Sequence, residues 1–118
     1  MGAHTTRSHT VDVIIPISTA LSNAIQIAHT DIVGFYMPAA WTAADIGFQV
    51  SDDNVTFFAV SDQAGALISI PVAASDFITL PDSFIQGNRW IRLWSQTAGV
   101  GVNQAAARTI KLVKRQLP

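Results

Sequence analysis

From Val11 onward, short apolar stretches alternate with turn signals. Val11, Val13, Ile15 and Ile17 recur at every second position, the spacing that puts side chains on one face of a strand. Ile25 and Ile27 alternate with Gln26 and Ala28, and an apolar run over residues 32–37 closes at Pro38. Residues 19–28 also place Leu21, Ala24, Ile25 and Ala28 at helical spacing; strand is the preferred reading there. Ile46, Phe48 and Val50 alternate with Gly47, Gln49 and Ser51, the period of a half-buried strand. Ser51, Asp52, Asp53 and Asn54 then make a turn, because such side chains bond their own backbone. Residues 55–60 read as the next strand, residues 61–65 as a turn ending on Gly65, and residues 66–72 as a third strand of a meander. Strands over 77–80, 89–96 and 109–114 complete the pattern. The prediction is an all-β chain: an antiparallel β-sandwich, jelly-roll-like, of about eight to nine short strands spaced roughly 8–12 residues apart.

Composition sharpens this picture. All eight acidic residues are Asp, none is Glu, and Lys occurs only at Lys111 and Lys114. Glu and Lys favour exposed helix surface whereas Asp favours turns, so their distribution also reads as β. The chain divides into a polar N-terminal arm, residues 1–10, and a single sandwich domain over residues 11–118. At 118 residues that domain is long enough to bury a core without staples, and there is no cysteine to supply one.

Only 13% of residues are charged, against about 25% in soluble domains. No apolar run approaches the roughly 18 residues of a membrane span, and the polar start does not fit a signal-peptide core. The expectation is therefore a weakly polar surface covered by other protein chains, with a homo-oligomer as one form of cover.

Candidate chemistry is sparse. His4, His9 and His29 match no compact metal motif. Asp52, Asn54 and Asp62 invite a calcium reading, but residues 51–57 lack the EF-hand pattern and a bidentate Glu, and turn formation already accounts for them. No nucleophile elbow or phosphate-cradling glycine loop is present. The expectation is a protein that is not an enzyme and takes no cofactor or metal.

The sharper feature is Arg89-Trp90-Ile91-Arg92-Leu93-Trp94. Alternation puts Trp90, Arg92 and Trp94 on one face and Ile91 and Leu93 on the other. Either the indoles flank an outward guanidinium, as a sugar platform or a cation–π anchor, or they are core and Arg92 is paired at the rim. Arg108, Lys111, Lys114 and Arg115 are four of the seven cations and lie in the last eleven positions. Four charges without an aromatic RNA-binding motif are a weak nucleic-acid signal; pairing with an acidic neighbouring surface fits better. Candidate interface residues are thus His4, Arg7, His9, Trp90, Arg92, Trp94, Lys114 and Arg115.

Residues 37–53 (MPAAWTAADIGFQVSDD) and 102–113 (VNQAAARTIKLV) resemble segments of small virion structural proteins of tailed bacteriophages and prophages. With the strand at 55–60 and the R-W-I-R-L stretch, the resemblance spans residues 32–113. It implies a place in the virion, made in the cytoplasm of the bacterial host, as a capsid decoration (cement) protein contacting the major capsid protein. A head-fibre, neck or tail accessory role, or a carbohydrate-binding module using the Trp face, is the alternative. No catalytic residues come with the resemblance. Trp41 is expected to pack over the end of the sandwich and fix the loop entering the strand at 46–50.

Overall fold

A computed structural model describes residues 8–27, 30–81 and 90–116. Among the described residues ten strands, all paired antiparallel, form the fold: β1 Ser8–Ile15, β2 Ile25–Gln26, β3 Thr30–Tyr36, β4 Asp45–Ser51, β5 Phe58–Ala59, β6 Ile70–Pro71, β7 Phe77–Thr79, β8 Trp90–Thr97, β9 Val100–Gly101 and β10 Arg108–Gln116. Sheet A runs β1-β10-β3-β7, and sheet B runs β2-β8-β4-β5, with β6 added on β4 and β9 on β8.

This order has a simple origin. β1 pairs β10, β2 pairs β8, β3 pairs β7 and β4 pairs β5. The first half of the chain therefore lies antiparallel to the second like one long hairpin, and that hairpin is wound so that its rungs alternate between two sheets. Eight strands so wound are a jelly roll, which satisfies every Greek-key connection without crossing loops. Two short strands, β6 and β9, raise the count above the eight or nine expected.

The hairpin reverses at residues 51–57, and side chains hold it there. Ser51 Oγ accepts the amides of Asp53 (3.2 Å) and Asn54 (2.9 Å) and donates to Asp53 Oδ1 (2.9 Å). Asp53 Oδ1 also accepts the amides of Val55 (2.8 Å) and Thr56 (2.9 Å). Asn54 takes the left-handed conformation (φ 60°) that Asn tolerates well. Because the carboxylate has captured these amides, they are lost to a ladder. The strand expected over 55–60 shrinks to Phe58–Ala59, and Val55 is left 80% exposed.

The core follows from alternation. Val13, Ile15, Ile110 and Leu112 of sheet A face Ile46, Phe48, Ile91 and Leu93 of sheet B, all essentially sealed from water. Phe35 and Phe48 meet edge to face at 6.4 Å, joining the layers. Strict period two would send Ile32 and Phe35 to opposite faces, yet both are buried. The register resolves this: Gly34 pairs Val113 while Ile32 pairs Lys114, so Val33 is an extra residue. Such a bulge re-aims the strand and lets both side chains reach the core.

Two further expectations change at strand ends. Pro16 ends β1, its carbonyl capping a turn at Thr19, so Ile17 leaves the shared face and stands 60% exposed. Residues 8–10, assigned above to the arm, belong to β1 and pair with β10. In the 19–28 stretch, Leu21 bridges Trp94 and β2 follows, so strand rather than helix forms there.

Candidate functional site

The stretch β8 sorts its side chains as alternation demands. Ile91 and Leu93 are sealed in the core, and Trp90, Arg92 and Trp94 occupy the outer face of sheet B, each half-buried. The reading that made Trp90 and Trp94 core is thereby corrected: Ile91 and Leu93 fill the core, and the indoles lie outside, partly covered.

Trp94 owes its cover to glycine. It pairs across β4 with Gly47, where a Cβ would stand 3.2 Å from indole Cε3. On the other side Gly101 of β9 leaves room for Nε1, 3.5 Å from where a Cβ would be. A large ring can settle onto a sheet only where its cross-strand neighbours lack side chains.

Arg92 is pinned. Its Nε donates to Gln49 Oε1, its cross-strand partner, at 2.8 Å. Its guanidinium carbon lies 3.9 Å from the centroid of Phe57, which the turn at 51–57 delivers over β8. Partial burial lowers the Arg92 pKa from its ordinary value, because desolvation disfavours the cation. Gln96, next on the same face, is wholly buried: its Nε2 donates to Ser69 Oγ (2.7 Å), and Gly99 N–H donates to its Oε1 (2.8 Å).

The outer face of sheet A is built differently. The register lines up Asp12, Lys111, Tyr36 and Phe77 in one row across all four strands. The rings of Tyr36 and Phe77 meet at 4.5 Å, tilted by 50°, and are 50% and 44% exposed; Ile14, on β1, is 46% exposed. Phe77 leans over Gly34, where a Cβ would come within 2.7 Å of its Cζ. The sequence reading passed over Tyr36 and Phe77. The available signal was parity: Tyr36 follows Phe35 and so takes the opposite face.

The remaining candidates separate. His4 and Arg7 lie outside the described residues, as does His29. His9 is exposed at the start of β1, opposite Lys114. The four C-terminal cations form no tail; they sit in β10, where alternation sends Arg108 and Lys114 to the face shared with Ile110, and Lys111 and Arg115 to the other. Arg115 Nη2 pairs with Asp31 Oδ2 at 3.0 Å; Asp31 is only 1% exposed, and its Oδ1 has no hydrogen-bond partner among the described residues. Arg108 donates to Gln104 Oε1 (3.1 Å) and Thr42 Oγ1 (3.2 Å).

That last contact belongs to a clasp between the two segments that carried the family resemblance. Thr42 N–H donates to Gln104 Oε1 (2.9 Å), and Gln104 Nε2 donates to the Thr42 carbonyl (3.1 Å) and Ser95 Oγ (2.8 Å). The amide of Gln104, fully buried, stands in for a strand partner. Trp41 packs against the core and donates from Nε1 to the Ala44 carbonyl at 3.1 Å, holding the loop into β4. These two segments are therefore a fastening of the fold.

Among the described residues no group of three or more His, Cys, Asp or Glu side chains converges, and no helix is long and apolar enough to cross a membrane. Compared with known proteins, the chain matches no family model, no curated protein and no solved structure.

Proposed function

We propose that this chain is a non-enzymatic structural protein of a tailed-phage virion, a decoration or cement subunit that binds the shell, and through it the major capsid protein, by the outer face of sheet A. The observation that carries this reading is the exposed, contacting Tyr36–Phe77 pair with Ile14 on the same face. Scattered apolar residues on a surface need no explanation. An exposed pair of aromatic rings in contact, on a chain with so few charges, is the composition of an interface centre. The methylene stem of Lys111, between Asp12 and Tyr36 in the row, extends the apolar surface while its ammonium stays in water. A jelly roll suits the role because its wound hairpin leaves β2, β5 and β7 as edges of only two or three residues, beside the longer edge β1.

The test is the copy number of the chain relative to the major shell protein in purified particles, by quantitative mass spectrometry. Comparable numbers support decoration; a few to a few tens place it at a neck, fibre or tail; absence from particles overturns the virion reading. Tyr36→Ala is expected to weaken particle binding about tenfold or more, as truncation of a central interface aromatic does. Unchanged retention of that variant moves the contact off sheet A.

A further inference from the structure

Arg92 is immobilised without a counter-ion. Its Nε is tied to Gln49 and its guanidinium carbon lies over the Phe57 ring. Its terminal nitrogens, Nη1 and Nη2, meet no acceptor among the described residues, where the one ion pair is Arg115 with Asp31. A guanidinium presents its N–H donors in a planar fork matched to a carboxylate. Drawing such a group partly out of water without a compensating charge costs free energy. The fold bears that cost here, and with the stem and plane already fixed, little entropy remains to be lost when an anion docks.

The surroundings narrow the class of anion. Trp90 and Trp94 stand two residues to either side of Arg92 on the same face, half-buried, so each still offers part of its indole. Gln49 has committed its oxygen to Arg92 and keeps its amide N–H groups available. Gln26, paired with Trp90 on β2, is exposed and adds a second amide. A small inorganic anion would use the fork alone. A neutral sugar would use the amides and indoles and leave the charge unpaired. A sugar carrying a carboxylate uses all three, since its ring has hydroxyls for amides and C–H faces for indoles.

We propose that the outer face of sheet B is a binding site for an acidic sugar of the uronic or sialic acid class. Arg92 clamps the carboxylate, Gln26 and Gln49 hold hydroxyls, and Trp90 and Trp94 border the ring. The site lies on the sheet opposite the assembly face, so it stands or falls independently of the virion reading.

The full chain is titrated with glucuronate, N-acetylneuraminate, glucose, acetate and a Glu-rich peptide, followed by tryptophan fluorescence and amide chemical shifts. One acidic sugar is expected to saturate at a dissociation constant on the order of a millimolar, as for small ligands with few contacts, with glucose and acetate at least tenfold weaker. Arg92→Met, which keeps an unbranched apolar stem but removes the guanidinium, is expected to lose at least tenfold in affinity. Gln26→Ala, at an exposed position remote from the core, is expected to lose several-fold and guards against misfolding of the first variant. The proposal is overturned if acetate or glucose binds as tightly as the acidic sugars, or if the peptide binds more tightly. It is equally overturned by no saturable response, or by Arg92→Met binding like the parent.

Discussion

The two outer faces of the sandwich carry similar parts and treat them in opposite ways. Each has a cation beside aromatic rings and a glycine beneath one ring: Lys111 with Tyr36, Phe77 and Gly34 on sheet A, Arg92 with Trp90, Trp94 and Gly47 on sheet B. On sheet A the rings stand about half in water and Lys111 is exposed. On sheet B the indoles are half-buried and the cation is pinned between an amide and a ring. The difference is position in the sheet. Phe77 sits on β7, a three-residue edge strand that no further strand flanks, whereas Trp94 sits on β8, bordered by β4 on one side and by Leu21 and β9 on the other. Exposure of an aromatic is set by its neighbours' side chains more than by its own hydrophobicity.

The largest expected effect contrasts the two arginines. Arg115 pairs with one oxygen of Asp31, a carboxylate sealed from water, whereas Arg92 pairs with no buried charge among the described residues. Arg115→Leu strands that carboxylate and is expected to cost about 3–5 kcal/mol in denaturant unfolding. Arg92→Leu gives up a neutral-acceptor hydrogen bond and a cation–π contact and is expected to cost about 1–2 kcal/mol. Equal losses would remove the distinction between a cation that stabilises the fold and one free to bind.

The glycines come next. At Gly34 a Cβ would stand 2.6 Å from the backbone oxygen of Ile78 as well as 2.7 Å from Phe77, and a backbone atom in a ladder cannot step aside. Gly34→Ala is expected to cost about 2–3 kcal/mol. At Gly47 the nearest atoms, at 3.2 and 3.4 Å, belong to the side chains of Trp94 and Gln96, which can give by a few tenths of an ångström. Gly47→Ala is expected to cost about 1 kcal/mol or less and to shift tryptophan emission as Trp94 is lifted. If the alanine at 47 proved the more harmful, sheet B would be the rigid face.

Legibility in the sequence followed length and regularity. The strands Asp45–Ser51, Trp90–Thr97 and Arg108–Gln116 are long enough for their apolar period to show them as strands, and in Trp90–Thr97 the period split the two faces without saying which is inner. The Trp90–Arg92–Trp94 face came from the same arithmetic. Contacts that depend on distant chain segments stayed hidden. Nothing local says that Gln104 will clasp Thr42, 62 positions away, or that Asp31 will be sealed under an ion pair 84 positions away. The bulge at Val33 defeats parity for half of β3. Residues 55–60 were misread because β-propensity, high in Val55 and Thr56, lost to a carboxylate two residues upstream.

That carboxylate yields the smallest and most local effect. Asp53 is fully exposed, yet the amides of Thr56 and Val55, then the hydroxyl of Ser51, hold its pKa below the ordinary 3.8. A depressed acid stabilises its loop fully above the unfolded value, and the contribution is lost as pH falls through the folded value. The turn at 51–57 should therefore keep its form at pH 5 and loosen only below pH about 3.8. The consequence falls on one face alone. Phe57 follows Thr56, so a loosened turn withdraws the ring from Arg92, while the Tyr36–Phe77 pair sits on the other sheet. Amide shifts of Val55 and Thr56 are expected to titrate with a midpoint below 3.8, and Asp53→Asn is expected to flatten that titration. A midpoint at or above the ordinary value would mean that the hydrogen bonds to Asp53 do not favour its charged form. Parallel changes at Tyr36 would mean that the two faces are mechanically coupled through the core, at odds with the independence argued for the assembly face and the sugar site.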